Sequence, residues 1–218
     1  MSYAIVLFAL IAFLCAWRAV RKAPTVTARI LFVFMAVASA TESVAAILSL
    51  NGIFNQWLYN LYFPFEFMTL VLLSLRTLAL ARAPMITLAL GGVFISGELI
   101  ETLTGAGFGT MATTTYIIGG VVLCALSIAG LFKLADTVEA RLRHHPLFWI
   151  LLATVLWFGG CIPLTGVLNY LDVRDHDLTL NLYRAIQALC IVRYAMMAYG
   201  NWRGASAPDK GMDSAVPA

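Results

Sequence analysis

Apolar runs of roughly 20 residues recur along this chain, separated only by short polar or Gly/Pro-containing breaks. A helix rising about 1.5 Å per residue needs ~20 apolar residues to cross a hydrocarbon core of ~30 Å. Seven stretches meet that length: Tyr3–Val20, Arg29–Leu50, Trp57–Leu80, Pro84–Thr104, Ala112–Lys133, Leu147–Tyr170 and Leu178–Tyr199. The fold class expected is therefore all-α, a polytopic membrane bundle of seven helices over residues 1–203, with a disordered tail over 204–218. Composition agrees. The 218 residues are 61% hydrophobic and 11% charged, where soluble domains are nearer half apolar and a quarter charged. A fold of this size has too little interior to hide so much apolar side chain, so lipid is the expected solvent.

Charge sets the expected orientation. With the N-terminus outside, the cytoplasmic segments hold Arg18, Arg21, Lys22, Arg29, Arg76, Arg82, Lys133, Arg141, Arg143, Arg203 and Lys210. The external segments hold Arg174 alone, and Arg184 and Arg193 fall within the seventh run. Basic residues collect on the cytoplasmic side of membrane proteins, so the N-terminus is expected outside and the C-terminus in the cytoplasm, in a cell inner membrane. The first run follows no basic segment and precedes Arg18 and Arg21, the reverse of a cleavable signal, so it is read as a retained helix. Trp57, Tyr59 and Tyr62 are expected as anchors at the outer interface, and Trp17, Trp149 and Trp202 at the inner one.

Polar residues inside the apolar runs are the functional candidates, because a charge in hydrocarbon costs several kcal/mol (about 2.5–3.5 on insertion scales). Glu42, Glu66, Glu98 and Glu101 lie in helices two, three and four. Asn181, Arg184 and Gln187 recur every three residues on the seventh. Counting residues puts all of them in the outer half of the membrane. The small neighbours of Glu42, namely Ala38, Ser39, Ala45 and Ala46, favour a close helix contact. Pro64 and Pro163 are expected to bend helices three and six at the same level. The expectation is an outward-facing polar pocket in which Arg184 pairs with Glu66 or Glu42 and a surplus acid is left for a cationic ligand, an ion or a proton. Arg193 is about half a turn round the helix from Arg184 and is read as a snorkelling anchor near the cytoplasmic end. The competing reading of the cluster is a purely architectural polar network.

Several chemistries lack their residues. The seventh run has no lysine for a retinal Schiff base, and arginine cannot replace it. The three histidines, His144, His145 and His176, lie in loops and do not make a zinc or bis-histidine haem site. Glu98 and Glu101 have no matching downstream set for a glutamate-dependent intramembrane protease, and no GxSxG elbow occurs. Cys15, Cys124, Cys161 and Cys190 lie in apolar runs without a CxxC pair and read as packing residues. No cofactor or metal is expected, and an enzyme is not the favoured reading.

Two stretches carry a resemblance: Tyr59-Asn60-Leu61-Tyr62-Phe63-Pro64-Phe65-Glu66-Phe67 and Pro146-Leu147-Phe148-Trp149-Ile150. Together with size and helix count they resemble a family of small, uncharacterised bacterial seven-helix membrane proteins. The resemblance implies a signalling or membrane-sensing accessory and marks Glu66 as a shared feature; it implies no activity. The function expected is thus a sensor or receptor-like protein working through a separate partner, because the chain carries no soluble output domain. An ion- or proton-coupled transporter is the second reading, and a structural or assembly subunit the third. Expected partners are membrane lipid, a cationic or polar small ligand and a signalling protein; the modest net charge of +3 does not suggest nucleic acid.

Overall fold

A computed structural model of the chain describes residues 2–105, 112–137, 142–171 and 176–204. The expected tail beyond Gly204 lies outside the described residues, as does Arg174. Among the described residues are seven α-helices: α1 Ser2–Lys22, α2 Val26–Leu50, α3 Gln56–Thr77, α4 Ala83–Thr104, α5 Thr113–Thr137, α6 Pro146–Leu171 and α7 His176–Gly204. A short 3-10 turn at Leu142–His144 precedes α6.

Local chemistry explains the boundaries. The Thr25 hydroxyl accepts from the Ala28 amide at 3.1 Å and caps α2. Asn51 and Gly52 stop it, Gly52 with a φ of +68° that a side chain disfavours. Pro84 sits in the first turn of α4, where a missing amide hydrogen is tolerated.

Six of the helices, α1 to α6, are long and apolar enough to cross a membrane. These make the chain a multi-pass membrane protein by length and composition. The expected seventh span is qualified here. At 29 residues α7 is the longest helix, but its polar residues leave it short of the hydropathy that marks the other six. α7 lies against both α1 and α6; Arg193 is buried in the bundle whereas Asn181 and Arg184 are exposed.

The helices close into a ring. α1 packs on α2, α2 on α3, α3 on α5, α5 on α6, α6 on α7 and α7 back on α1. α4 stands outside that ring, against α3 and α5. Small residues and a stacked ring pair build several of the joints. Ala9, Ala12, Ala16 and Ala19 form the buried stripe of α1, a face that lets backbones approach closely. Gly200 of α7 lies against α6, where a β-carbon would meet the Pro146 carbonyl oxygen at 2.9 Å. Phe67 stacks on Phe94 at 4.4 Å to seat α4. The outer surface is lined with exposed apolar side chains such as Leu14, Val33, Leu88, Val93 and Ile118.

Candidate functional site

The ring is tightly filled at one end and hollow at the other. Where α2 ends and α3, α5 and α7 begin, a cavity of about 550 Å³ runs into the bundle. Side chains from α1, α2, α3, α5, α6 and α7 line it, and none from α4 does. Its rim includes Ser49, Gln56 and Tyr183; Glu66 and Arg193 are its deepest charged residues. Glu66 is about ten residues, or ~15 Å, from the start of α3, midway along that 22-residue helix.

The charged floor is an ion pair. An Nη2 hydrogen of Arg193 donates to Glu66 Oε1, and both residues are at most 3% exposed. The next residue of α7 reaches the neighbouring helix: Tyr194 Oη donates to Glu42 Oε1 at 3.0 Å. Tyr59 Oη donates to Glu42 Oε2 at 3.1 Å. Consecutive residues of α7 thus tie α3 and α2 together through two different carboxylates. The Arg193 guanidinium also lies over the Trp157 ring of α6, 5.3 Å from its centroid. Tyr59, Tyr62, Phe63 and Glu66 share one face of α3, since three- and four-residue steps return to the same side.

The charges do not balance at close range. Glu66 and Arg193 neutralise each other, whereas the hydrogen-bond partners of Glu42 are two phenols. The cavity therefore holds one carboxylate more than its cations. Two buried donor atoms of its lining residues, Tyr62 Oη and Arg193 Nε, have no hydrogen-bond partner among the described residues.

The sequence candidates part company at this point. Glu42, Glu66 and Gln187 line the cavity. Arg184 does not pair with Glu66 or Glu42: it is exposed and bonds Asn181 Oδ1 at 3.3 Å, one turn back on its own helix. Asn181 is exposed with it. The half-turn separation of Arg184 and Arg193 leaves one arginine inside, and that one is Arg193. Its reading as a snorkelling anchor is corrected by the length of α7, which continues about eleven residues beyond it.

Glu101 serves α5 instead of the cavity. Its carboxylate accepts from the Thr114 and Thr115 amides at 2.8 Å each and from Thr115 Oγ1 at 2.9 Å. That is a helix N-cap supplied by a neighbouring helix, with negative charge at the positive end of the dipole. Glu98 is buried on the α4 stripe that includes Gly91, Phe94 and Thr102, away from the cavity.

No protein-family model, curated protein or solved structure matches the chain. The resemblance thus rests on residues 59–67 and 146–150 with the size and helix count of the chain. The first stretch nonetheless supplies four cavity residues, Tyr59, Tyr62, Phe63 and Glu66.

Sequence reading missed Arg193, Tyr62, Tyr194 and Trp157 as cavity residues. Tyr59 and Tyr62 were expected as interfacial anchors, yet Tyr62 is 7% exposed and both line the cavity. The usable signal was their four- and seven-residue spacing to Glu66, which puts a polar face on an apolar helix. Among the described residues, no group of three or more His, Cys, Asp or Glu side chains is placed to hold a metal ion.

Proposed function

We propose that this protein is a receptor-like membrane sensor whose cavity admits a small ligand from the extracytoplasmic side and whose signal is read by a separate partner. The observation that carries the reading is the cavity itself: about 550 Å³, within the ~300–1,000 Å³ range of small-molecule sites, and ending on a buried ion pair midway along α3. The charge bias of the loops supports an outside N-terminus in a cell inner membrane, which turns the mouth outward.

Sensing requires that the ligand touch an element extending to the other face. α7 meets that need. Arg193 and Tyr194 contact the cavity charges, and farther along the same helix Trp202 lies under the Arg18 guanidinium, 3.7 Å from ring centroid to Cζ. A ligand that reorders the Glu42 and Glu66 contacts changes what α7 is held by, and a few kcal/mol of differential binding shifts a two-state bundle. Basic side chains at that end, including Arg21, Arg76 and Arg203, offer a surface for a cytoplasmic partner and anionic lipid.

Transport is the weaker reading. One turn beyond the ion pair the bundle is filled by Phe34, Leu70, Val71, Ile150 and Met197, each at most 1% exposed. Among the described residues, the buried polar side chains beyond that layer, Ser74, Ser127, Thr154 and Asn201 among them, are all uncharged.

The test is a thermal-shift screen of amines, amino-acid derivatives and other small polar compounds on the purified chain. Wild type is compared with two plugged variants, Ala46→Trp and Gln187→Trp. A ligand at a hundredfold excess over its Kd adds about 2.7 kcal/mol to the folded state. The expected result is a compound that raises the wild-type melting temperature and leaves both plugged variants unmoved. A screen in which wild type and plugged variants respond alike contradicts the proposal.

A further inference from the structure

We infer that the cavity recognises a monovalent ammonium compound that also carries an uncharged hydrogen-bond-accepting oxygen, with the ammonium at Glu42 and the oxygen on the Tyr62 and Arg193 donors. The inference rests on the receptor reading above and names the chemistry of its ligand.

The charge follows from the balance of the site. Glu66 is matched by Arg193, and both are at most 3% exposed. Glu42 has each oxygen on a phenol, Tyr194 at 3.0 Å and Tyr59 at 3.1 Å, and no cation in its hydrogen-bond set. A phenol brings no positive charge, so Glu42 is the cavity carboxyl whose hydrogen-bond partners among the described residues include no cation. A single positive charge neutralises it. Each carboxylate oxygen keeps a further lone pair for an N–H donor. The surrounding aromatic rings, Tyr59, Tyr194 and Trp157 among them, attract an ammonium in addition.

The acceptor follows from the unused donors. Tyr62 is 7% exposed and Arg193 3%, both line the cavity, and Tyr62 Oη and Arg193 Nε have no hydrogen-bond partner among the described residues. A buried donor left without an acceptor costs roughly 1–3 kcal/mol. Both atoms are sealed from solvent in this structure, so a ligand oxygen reaches them through a shift of the Tyr62 or Arg193 side chain, and accepting from them removes that penalty. The oxygen is uncharged because Arg193 is already committed to Glu66. A ligand carboxylate would bring a second anion beside Glu66 and leave the whole cluster with the same surplus negative charge it had when empty.

Three compounds sharing the 2-phenylethylamine unit separate these statements: L-phenylalaninamide with cation and neutral carbonyl, 2-phenylethylamine with the cation alone, and L-phenylalanine with both charges. Their binding to the full chain in nanodiscs is measured by calorimetry, with Tyr62→Phe and Glu42→Gln as variants. The expected result is a Kd for the amide at least tenfold lower than for either relative. Tyr62→Phe should bring the amide to the level of 2-phenylethylamine while leaving 2-phenylethylamine unchanged. Glu42→Gln should weaken both amines by tenfold or more.

Equal binding of amide and amine, or an amide unaffected by Tyr62→Phe, overturns the acceptor. Tighter binding of phenylalanine overturns the charge assignment. If none of the three binds while another compound still protects wild type and not the plugged variants, the ligand class is wrong and the receptor reading stands. If no compound of any class distinguishes wild type from the plugged variants, the receptor reading falls and this inference falls with it.

Discussion

Arg193 is the one buried cation among the described residues. It is fully inside, bonded to Glu66 and flanked by the Trp157 and Tyr194 rings. Breaking a buried pair by removing one partner is far more damaging than replacing both, because the survivor is left as an uncompensated charge. Glu66→Gln and Arg193→Met should each destabilise the protein by about 3–5 kcal/mol, and the double variant should recover much of that loss. Equilibrium unfolding of the purified chain in detergent measures the cycle; additive losses would show that the two residues are not coupled. Glu101 makes the opposite kind of contribution, local and half-exposed. Glu101→Ala removes the cap of α5 and should cost about 1 kcal/mol, without changing ligand response, as read by the same unfolding curves and by thermal shift.

Helices were more legible in the sequence than the way they face. The start of α4 and the ends of α2 and α4 coincide with or fall next to the expected positions, because bilayer thickness sets the length of an apolar run and Gly, Pro and Asn punctuate it. Rotation is another matter. A helix that is apolar all round has no hydrophobic stripe to say which side meets lipid, so residue spacing on α7 gave two faces but not which was inside. The end of α7 was placed at Tyr199, five residues short of Gly204, and that error moved Arg193 toward the membrane surface. The position of α4 outside the ring was also beyond pattern reading, since its composition matches its neighbours. Glu42 and Glu66 were legible because acids in apolar runs stand out. Tyr62, Tyr194 and Trp157 were not, because aromatic residues are ordinary in such helices.

Close contacts between elements make a further prediction. Gly200 faces a backbone oxygen and the Trp149 β-carbon, both at 2.9 Å from where its own β-carbon would stand, whereas Gly159 has nothing within 4 Å. Gly200→Ala must push α6 from α7 and should destabilise by about 1–3 kcal/mol. Gly159→Ala should be neutral or slightly stabilising, since it removes backbone freedom from a helix interior. The two melting curves, compared under one condition, check this; equal effects would argue against the α6–α7 seam.

At the scale of the whole molecule, one half of the ring is solid and the other is hollow, and the basic residues gather at the solid end. That polarity is what the sensor account needs: an entrance on one face, a closed floor, and a charged surface on the other. Its central claim is that the hollow end opens to the outside. The most direct measurement uses a membrane-impermeant thiol reagent on intact cells. The four native cysteines are first replaced by serine or alanine, and a single cysteine is then placed at Ser49, Gln187 or Arg21. The account predicts that Ser49→Cys and Gln187→Cys are modified from outside and Arg21→Cys only after the membrane is opened. Modification of Arg21→Cys in intact cells, with the two cavity positions protected, would contradict it.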